Sequence, residues 1–341
     1  MERHEIVVDG VPTRWYEAGE GFPVVMVHGI PTSPALWRHV APLVVGRTMA
    51  WEMIGYGSSI PFGDGRDISV AGQADHLLRW LDTLGMERAV FAGHDLGGGV
   101  VQIAAVRAPE RCGGLLLTNA VSYDSWPIPS VKAMRAMGPL VARLPDSAFR
   151  LTLLSFFWRG HDTWTQAKDA LAAHWPHYAA HGGAAAMVRQ MRPLHVDDTI
   201  RIESQLPTLE IPARVVWGTG DQFQKLAYGE CLARDLRTDL RRNRRRQALD
   251  ARGPPPHHRR GDKRARCHRR RVELNGHRSE RRWPCVMTPP SYSTCPLASV
   301  SPKTRSRSID AGSGIGLRRL SERLISRYVA ASIPQRRQCF R

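Results

Sequence analysis

An aspartate framed by glycines is the clearest candidate for chemistry in this sequence. Gly93 and Gly97 bracket Asp95 at the spacing G-x-nucleophile-x-G, which lets the chain turn sharply and lifts the central side chain clear of a sheet. The apolar run at residues 88–92 is typical of a buried strand, and helical periodicity resumes after the glycines. The pattern predicts a nucleophile elbow that carries a carboxylate, and the alternative is an ordinary helix N-cap.

Two backbone N–H groups are expected to face this carboxylate. The apolar run at residues 23–27 predicts a buried strand that ends at His28 and Gly29. Such an ending can present a backbone N–H above the elbow, beside the N–H of Leu96, so that Gly29, Ile30 and Leu96 form an anion hole. We expect His28 to brace this loop rather than to take part in chemistry.

A second carboxylate is expected at the same edge of the sheet. Asp221 follows the apolar run at residues 213–218, and ligands of open α/β sheets bind beyond the carboxyl ends of the strands. Asp124, which follows the run at residues 115–118, is an alternative acid. Capping of a loop is the structural alternative for Asp221.

Strand and helix patterns alternate along the first part of the chain. Alternation of this kind predicts an α/β fold with a mostly parallel sheet flanked by helices. Residues 1–124 read as the first part of the core, residues 125–206 as a helical lid, and residues 207–242 as an incomplete second part of the core. Residues 243–341 form a basic tail without periodicity, which we expect to be disordered or irregular.

Local signals place several elements within this frame. Residues 5–8 and 13–16 predict a leading hairpin, Ser69 and Gly85 delimit a helix, and residues 236–242 read as the start of a last strand. The lid is rich in aromatic residues, which more often form its core than contact a ligand. Its candidate ligand contacts are Trp158, Trp164 and Tyr178.

The net charge of +18 is unevenly distributed. Residues 243–341 hold 25 of the 49 Lys and Arg and 6 of the 31 Asp and Glu, a net of +19, so residues 1–242 carry a net of −1. The six cysteines show no C-x-x-C pairing, and no apolar run is long enough to span a bilayer. We expect a cytoplasmic protein with no metal, no cofactor and no membrane partner.

Together these motifs resemble the α/β-hydrolase superfamily, in its branch with an aspartate nucleophile: haloalkane dehalogenases and epoxide hydrolases. The resemblance covers residues 1–242 and includes the motif Gly55-Tyr56-Gly57-Ser58-Ser59. It implies that Asp95 attacks a saturated carbon of a small apolar substrate and forms an alkyl-enzyme ester. A histidine oriented by Asp221 would then activate water to hydrolyse the ester.

The groups that would hold a leaving group in this branch differ here. Many dehalogenases have Trp after the nucleophile, where this chain has Leu96, and one subgroup has Asn after His-Gly, where this chain has Ile30. Epoxide hydrolases use two lid tyrosines, and only Tyr178 lies clearly inside this lid. Carbon–halide cleavage is the first expectation, with epoxide opening as its alternative; Trp158 or Trp164 would then donate to the halide.

The catalytic histidine of this branch has no recognisable counterpart in the tail. His257, His258, His268 and His277 follow no strand pattern. Reading codons one base later from Asn243 permits Ile-Glu-Gly-Gly-Lys-His-Leu-Thr-Pro-Glu-Asp-His, which resembles the family's histidine loop. Our hypothesis is a one-base frameshift near Arg242 that replaced the native C-terminus and impairs turnover.

Two further classes compete with an enzyme. The basic tail would support weak, salt-sensitive nucleic-acid binding. Its aromatic residues are too few and too scattered to form a stacking platform, so we do not expect nucleic acid as a partner. The fold also serves in non-catalytic binding proteins, against which the pairing of Asp95 with Asp221 argues.

Overall fold

The computed structural model describes residues 1–243, which build one eight-stranded sheet with helices packed on it. The strands are β1 (Glu2–Val8), β2 (Val11–Ala18), β3 (Pro23–Val27), β4 (Arg47–Trp51), β5 (Ala89–Asp95), β6 (Cys112–Ala120), β7 (Ala213–Gly218) and β8 (Leu240–Asn243). Their order across the sheet is β1-β2-β4-β3-β5-β6-β7-β8. The pairs β1·β2 and β2·β4 are antiparallel and all the others are parallel, as the sequence predicts for a mostly parallel sheet.

Helices connect the parallel strands and cover the sheet. They are α1 (Val70–Thr83), α2 (Leu96–Arg107), α3 (Pro129–Ala136), α4 (Gly138–Val141), α5 (Asp146–Gly160), α6 (Trp164–Ala180), α7 (Gly183–Met191), α8 (Asp197–Ile200) and α9 (Leu226–Asp235). Short 3-10 helices lie at Pro34–His39, Ala41–Leu43, Gly57–Gly63, Pro109–Arg111 and Glu203–Thr208. None of the helices in residues 1–243 is both long and apolar enough to cross a membrane.

The core lies on both faces of the central strands. Val25 and Val27 of β3 belong to the larger hydrophobic cluster, which includes the apolar faces of α1 and α2. Val24 and Met26, on the opposite face, pack in a second cluster with Trp37. Because both faces of these strands are covered, their sequences read as continuous apolar runs rather than alternating ones.

The hairpin turn and the helix cap form where the sequence predicts them. Asp9 and Gly10 form the hairpin turn with left-handed φ values of 49° and 73°, a conformation that suits a tight two-residue connection. The Ser69 side chain accepts a hydrogen bond from the N–H of Gly72 and so caps the first turn of α1.

The segment between β6 and β7 contains α3 to α8, so the region expected to form a helical lid is indeed helical. The expected lid interval, residues 125–206, encloses all six of these helices. This long insertion places helices beyond the carboxyl ends of β5 and β6, and residues from it reach the site described below.

The last strand begins later than the sequence predicts. Leu236 is buried and continues the end of α9, where its N–H donates to the carbonyl of Leu232. Arg237 then adopts a left-handed φ of 51°, and the N–H of Thr238 bonds to the carbonyl of Ala233. This bonding pattern ends helices, so residues 236–238 belong to the helix end, and β8 begins only at Leu240. The predictions for residues 244–341 lie outside the described residues.

Candidate active site

Asp95 lies where β5 meets α2, in a strained backbone conformation. Its φ of 52° and ψ of −121° lie outside the regions that a side chain normally permits. A Cβ on Gly97 would overlap the backbone carbonyls of Val27 and His28, and one on Gly98 would overlap Ala120. The glycines therefore let the start of α2 pack directly on β3 and β6, and the turn displays the aspartate.

Backbone donors face the Asp95 carboxylate from two segments. The N–H of Ile30 donates to Asp95 Oδ2 at 2.9 Å, and the N–H of Leu96 also interacts with the carboxylate. Gly29 contributes by its missing side chain, because a Cβ there would overlap the carboxylate. The structure thus brings together Gly29, Ile30 and Leu96, the residues expected to form the anion hole.

His28 makes two hydrogen bonds that fix the loop carrying these donors. Its Nδ1 lies 3.0 Å from the carbonyl oxygen of Gly29, and its Nε2 lies 3.3 Å from the backbone N–H of Met53, from which it accepts. This pattern assigns the proton to Nδ1. Burial lowers the pKa of His28 to about 4, so the ring is neutral and tied to the backbone.

Asp221 follows β7 and is held by three donors. Asn119 Nδ2 donates to Asp221 Oδ2 at 2.5 Å, and the N–H of Phe223 donates to Oδ1 at 2.7 Å. The backbone N–H of Gln224 is the third donor. The alternative acid, Asp124, is exposed and accepts a hydrogen bond from the Tyr228 hydroxyl at 2.9 Å.

Asn119 is a site residue that the sequence reasoning missed. It is the penultimate residue of β6 and has a left-handed φ of 42°, which asparagine tolerates better than most residues. Its Oδ1 accepts from the N–H of Gly218 at 3.1 Å while its Nδ2 holds Asp221. The available signal was an asparagine directly after the apolar run of β6, at the edge of the sheet where the carboxylates lie.

A pocket of about 580 Å³, open solvent at its mouth included, lies above the elbow. Asp95 and Asp221 both line it, as do Ile30, Leu96 and Asn119. Much of the remaining wall is apolar and comes from the segment after β6, from the lid and from Phe223. A mainly apolar pocket with few convergent polar groups is the usual form of a small-molecule site.

The three aromatic residues expected to contact a ligand lie elsewhere. Trp158 and Trp164 are 39% and 45% exposed and meet edge to face at 5.5 Å, outside the pocket lining. The Tyr178 hydroxyl is buried and donates to Gln190 Oε1 at 2.7 Å. Phe156 and Trp126 line the pocket instead, and Trp126 Nε1 donates to Thr199 Oγ1 at 2.7 Å.

Burial raises the pKa of both pocket carboxyls. The pKa of Asp95 rises to about 7, with the N–H groups of Ile30 and Leu96 opposing the shift and the charge of Asp221 adding to it. The pKa of Asp221 rises to about 6, opposed by the N–H groups of Phe223 and Gln224 and by the Asn119 amide. Pairs of perturbed carboxyls in one cleft are a mark of functional sites.

No histidine within residues 1–243 hydrogen-bonds to Asp221. The described part of the site therefore contains the carboxyl groups of Asp95 and Asp221 but no imidazole hydrogen-bonded to Asp221. The histidines considered in the tail, His257, His258, His268 and His277, lie outside the described residues.

The sequence profile of the alpha/beta hydrolase fold family matches residues 23–251. The chain belongs to this family. A solved alpha/beta hydrolase fold protein from Burkholderia ambifaria superposes with a TM-score of 0.65 and 25% identity, covering 72% of this chain and 94% of that one. As an alpha/beta hydrolase, the chain is an enzyme that catalyses hydrolysis.

The relatives of this chain are named for different activities. A 2-hydroxymuconate semialdehyde hydrolase of Pseudomonas putida is 30% identical, and the match covers 67% of this chain and 81% of that protein. A protein of the same name from Pseudomonas sp. (strain CF600) is 36% identical, and the match covers 36% of this chain and 45% of that protein. Haloalkane dehalogenase 2 of Mycobacterium bovis is 27% identical, covering 61% of this chain and 78% of its own. Bifunctional epoxide hydrolase 2 of Sus scrofa is 32% identical, covering 36% of this chain and 22% of its own.

Proposed function

We propose that this alpha/beta hydrolase cleaves carbon–halogen bonds through an alkyl ester on Asp95. The observation that carries the proposal is a carboxylate at the tip of the elbow, where the esterase form of the motif has serine. An ionised carboxylate attacks a saturated carbon without help from a base. Similarity to a haloalkane dehalogenase over most of that protein's length agrees with this chemistry.

In the first step a carboxylate oxygen of Asp95 bonds to the substrate carbon, and the halide leaves with the electron pair of the carbon–halogen bond. The N–H groups of Ile30 and Leu96 orient the carboxylate before attack. Ester formation converts a buried charge to a neutral group. The negative charge passes to the halide, so the pocket no longer holds a buried carboxylate charge at Asp95 once the halide has left.

The second step needs water and a base. In the proposed mechanism a histidine oriented by Asp221 removes a proton from water, and the resulting hydroxide attacks the carbonyl carbon of the ester. The bond from that carbon to the alkoxy oxygen then breaks, the histidine returns the proton to the departing alcohol, and the Asp95 carboxylate is restored. That histidine would come from the segment after β8, where we propose that a one-base frameshift altered the sequence. The chain as written is then expected to form the ester and to hydrolyse it slowly.

Epoxide opening is the less favoured alternative. An epoxide oxygen needs a proton donor as the ring opens, and no tyrosine from the described residues lines the pocket. The Tyr178 hydroxyl already donates a hydrogen bond to Gln190, and the indole N–H of Trp126 donates one to Thr199. A departing halide is stable as an anion and needs no proton.

Halide release tests the proposal. The full chain is incubated with 1-bromobutane, and bromide is counted per protein molecule. We expect a burst approaching one bromide per chain, and no burst from Asp95→Asn, because an amide oxygen is a poor nucleophile. A burst of equal size from Asp95→Asn would overturn the proposal.

A further inference from the structure

The two lid tryptophans that lie outside the pocket belong to an exposed apolar face. Trp158 of α5 and Trp164 of α6 are both exposed, and their rings are in contact. Leu151 lies seven residues before Trp158, hence on the same side of α5, and is 68% exposed. We call Leu151, Trp158 and Trp164 the lid tryptophan face. Large apolar side chains gathered on one surface mark a site of interaction with a protein or a membrane.

The helix α5 is apolar on two sides, and only one of them serves the lid. Its inner side packs in the hydrophobic core through Phe149, Leu153 and Phe157. A helix that buries a single side in its own protein is usually polar on the other. The outer residues Leu151 and Trp158 are not needed for the packing of the lid, so a partner outside the chain is expected to cover them.

Exposed cations flank the lid tryptophan face. Lys168 lies four residues after Trp164, and its Nζ is 5.5 Å from the centroid of that ring. Arg150 directly precedes Leu151, and both cations are exposed. Within residues 1–243 neither of them forms an ion pair. The positive charge beside the face is therefore free to meet an anionic partner.

The acids of the same segment are engaged elsewhere. Asp169 pairs with Arg38 of the core, and the Asp146 carboxylate lies against Gly183 at the start of α7. Asp162 has one carboxylate oxygen buried. The face thus combines tryptophan and leucine with positive charge, which is the combination that binds the interface of an anionic membrane. Tryptophan in particular suits the boundary between lipid headgroups and acyl chains.

We propose that the lid tryptophan face docks on an anionic lipid bilayer, with Arg150 and Lys168 against the lipid phosphates. Such a surface contact needs no helix that crosses the membrane, and it replaces the expectation of no membrane partner. Phe156 of α5 lines the pocket, so docking places the pocket beside a phase that concentrates apolar molecules. The proposal does not depend on the chemistry proposed for Asp95.

Tryptophan fluorescence locates the docked surface. The full chain is mixed with phosphatidylglycerol vesicles whose acyl chains are brominated, because bromine quenches tryptophan at short range. Trp158 and Trp164 are the exposed tryptophans among residues 1–243. We expect quenching in the native chain and its loss in Trp158→Phe/Trp164→Phe, which keeps an apolar face. Trp283→Phe is the control for docking through the basic tail and should leave the quenching in place. Quenching that survives the double substitution would overturn the proposal.

Affinity for phosphatidylglycerol vesicles, measured by co-sedimentation, tests the role of each side chain. Leu151→Ser/Trp158→Ser should weaken binding by about tenfold or more, because it removes apolar contact. Lys168→Gln should weaken it by about fivefold, the usual effect of one cation near an anionic surface. The controls are Leu43→Ser and Lys225→Gln, since both residues are exposed outside the lid. Equal affinities in the face variants and in their controls would show that the lid tryptophan face does not bind lipid.

A second copy of this chain is the competing occupant of the face. Sedimentation velocity without lipid compares the native chain with Leu151→Ser/Trp158→Ser, and we expect the two to sediment alike. A native dimer that this double substitution dissociates, together with no quenching by brominated vesicles, would show that the face binds another copy and that the bilayer proposal is wrong.

Discussion

Asp95 combines a half-buried position at the tip of a turn with an electrostatic environment that opposes its charge. The surrounding apolar wall raises its pKa to about 7, and the neighbouring acid Asp221 has a pKa of about 6. Two N–H donors offset only part of this cost. Ionisation of Asp95 therefore costs stability, as is common for residues of active sites.

Replacing the nucleophile should stabilise the fold at neutral pH. The folded-state pKa of Asp95 lies above the ordinary value of 3.8, so the stability associated with its protonated form is fully present below about pH 4 and is lost as the pH rises through about 7. Asp95→Asn lacks this loss and should be more stable at pH 8 by about 1–2 kcal/mol. Urea unfolding from pH 4 to 8 measures the difference.

The matched control is Asp64→Asn, because Asp64 is exposed in a loop. Its stability should follow that of the native chain at every pH. An Asp95→Asn variant that is less stable than the native chain at pH 8 would contradict the assigned cost of ionisation.

Alkylation should depend on pH through the same group. Only the ionised carboxylate attacks, so with a neutral alkyl bromide the rate should be low at pH 5, rise with a midpoint near pH 7 and level off above pH 8. Asp221→Asn removes a neighbouring negative charge and should move the midpoint to lower pH. Rates by intact mass that are flat from pH 5 to 9 would exclude Asp95 as the titrating nucleophile.

At the scale of elements, the sequence predicts a feature well when the signal is local. The glycine spacing around Asp95, the Asp9-Gly10 turn and the Ser69 cap each lie within a few residues of the feature that they specify. The sheet is likewise predictable, because central strands covered on both faces read as apolar runs.

Features set by contacts between distant segments could not be read in this way. Asn119 meets Asp221 across 102 residues, and only the pairing of β6 with β7 brings them together. The outward positions of Trp158 and Trp164 also depend on how α5 and α6 pack, since an aromatic residue suits either face of a lid helix. The sequence pattern predicts a strand at Leu236, because its place at the end of α9 depends on burial against the core, which no local pattern shows.

Asn119 joins the ends of β6 and β7, so its replacement should destabilise the fold. Asn119→Ala loses the hydrogen bonds to Asp221 and Gly218 and also places alanine at a left-handed φ, with an expected loss of about 2–4 kcal/mol. Asn119→Gly loses the same bonds without the backbone strain and should lose less. Urea unfolding of both variants measures this order. Native stability in Asn119→Ala would show that this link contributes little.

At the scale of the whole molecule, charge divides the chain into two parts. Residues 1–242 are nearly neutral, while residues 243–341 carry a net of +19. The family profile matches from residue 23 to residue 251, and so covers most of the neutral part and little of the basic one. The codons at residues 243–254 permit a histidine loop when read one base later, which would supply the base that Asp221 needs.

Resequencing the coding DNA across codons 235–260, together with the intact mass of the natively expressed protein, tests the frameshift hypothesis. We expect a one-base difference and a mass that departs from that of the printed sequence. The corrected chain should then release bromide over many turnovers instead of in a single burst. A DNA sequence and a mass that both match the printed chain would show that the basic tail is part of the expressed protein, and this chain should then trap the ester on Asp95 instead of turning over.

The central claim is that Asp95 is a nucleophile toward saturated carbon. Peptide mapping by mass spectrometry after treatment with 3-bromopropan-1-ol tests it most directly, since the attached group marks the residue that attacked. The account predicts an added hydroxypropyl group on the Asp95 carboxylate, released by mild alkaline hydrolysis as expected for an ester, and absent from Asp95→Asn. An unmodified Asp95 peptide in a folded chain that releases bromide, or the same label on another residue, would contradict it.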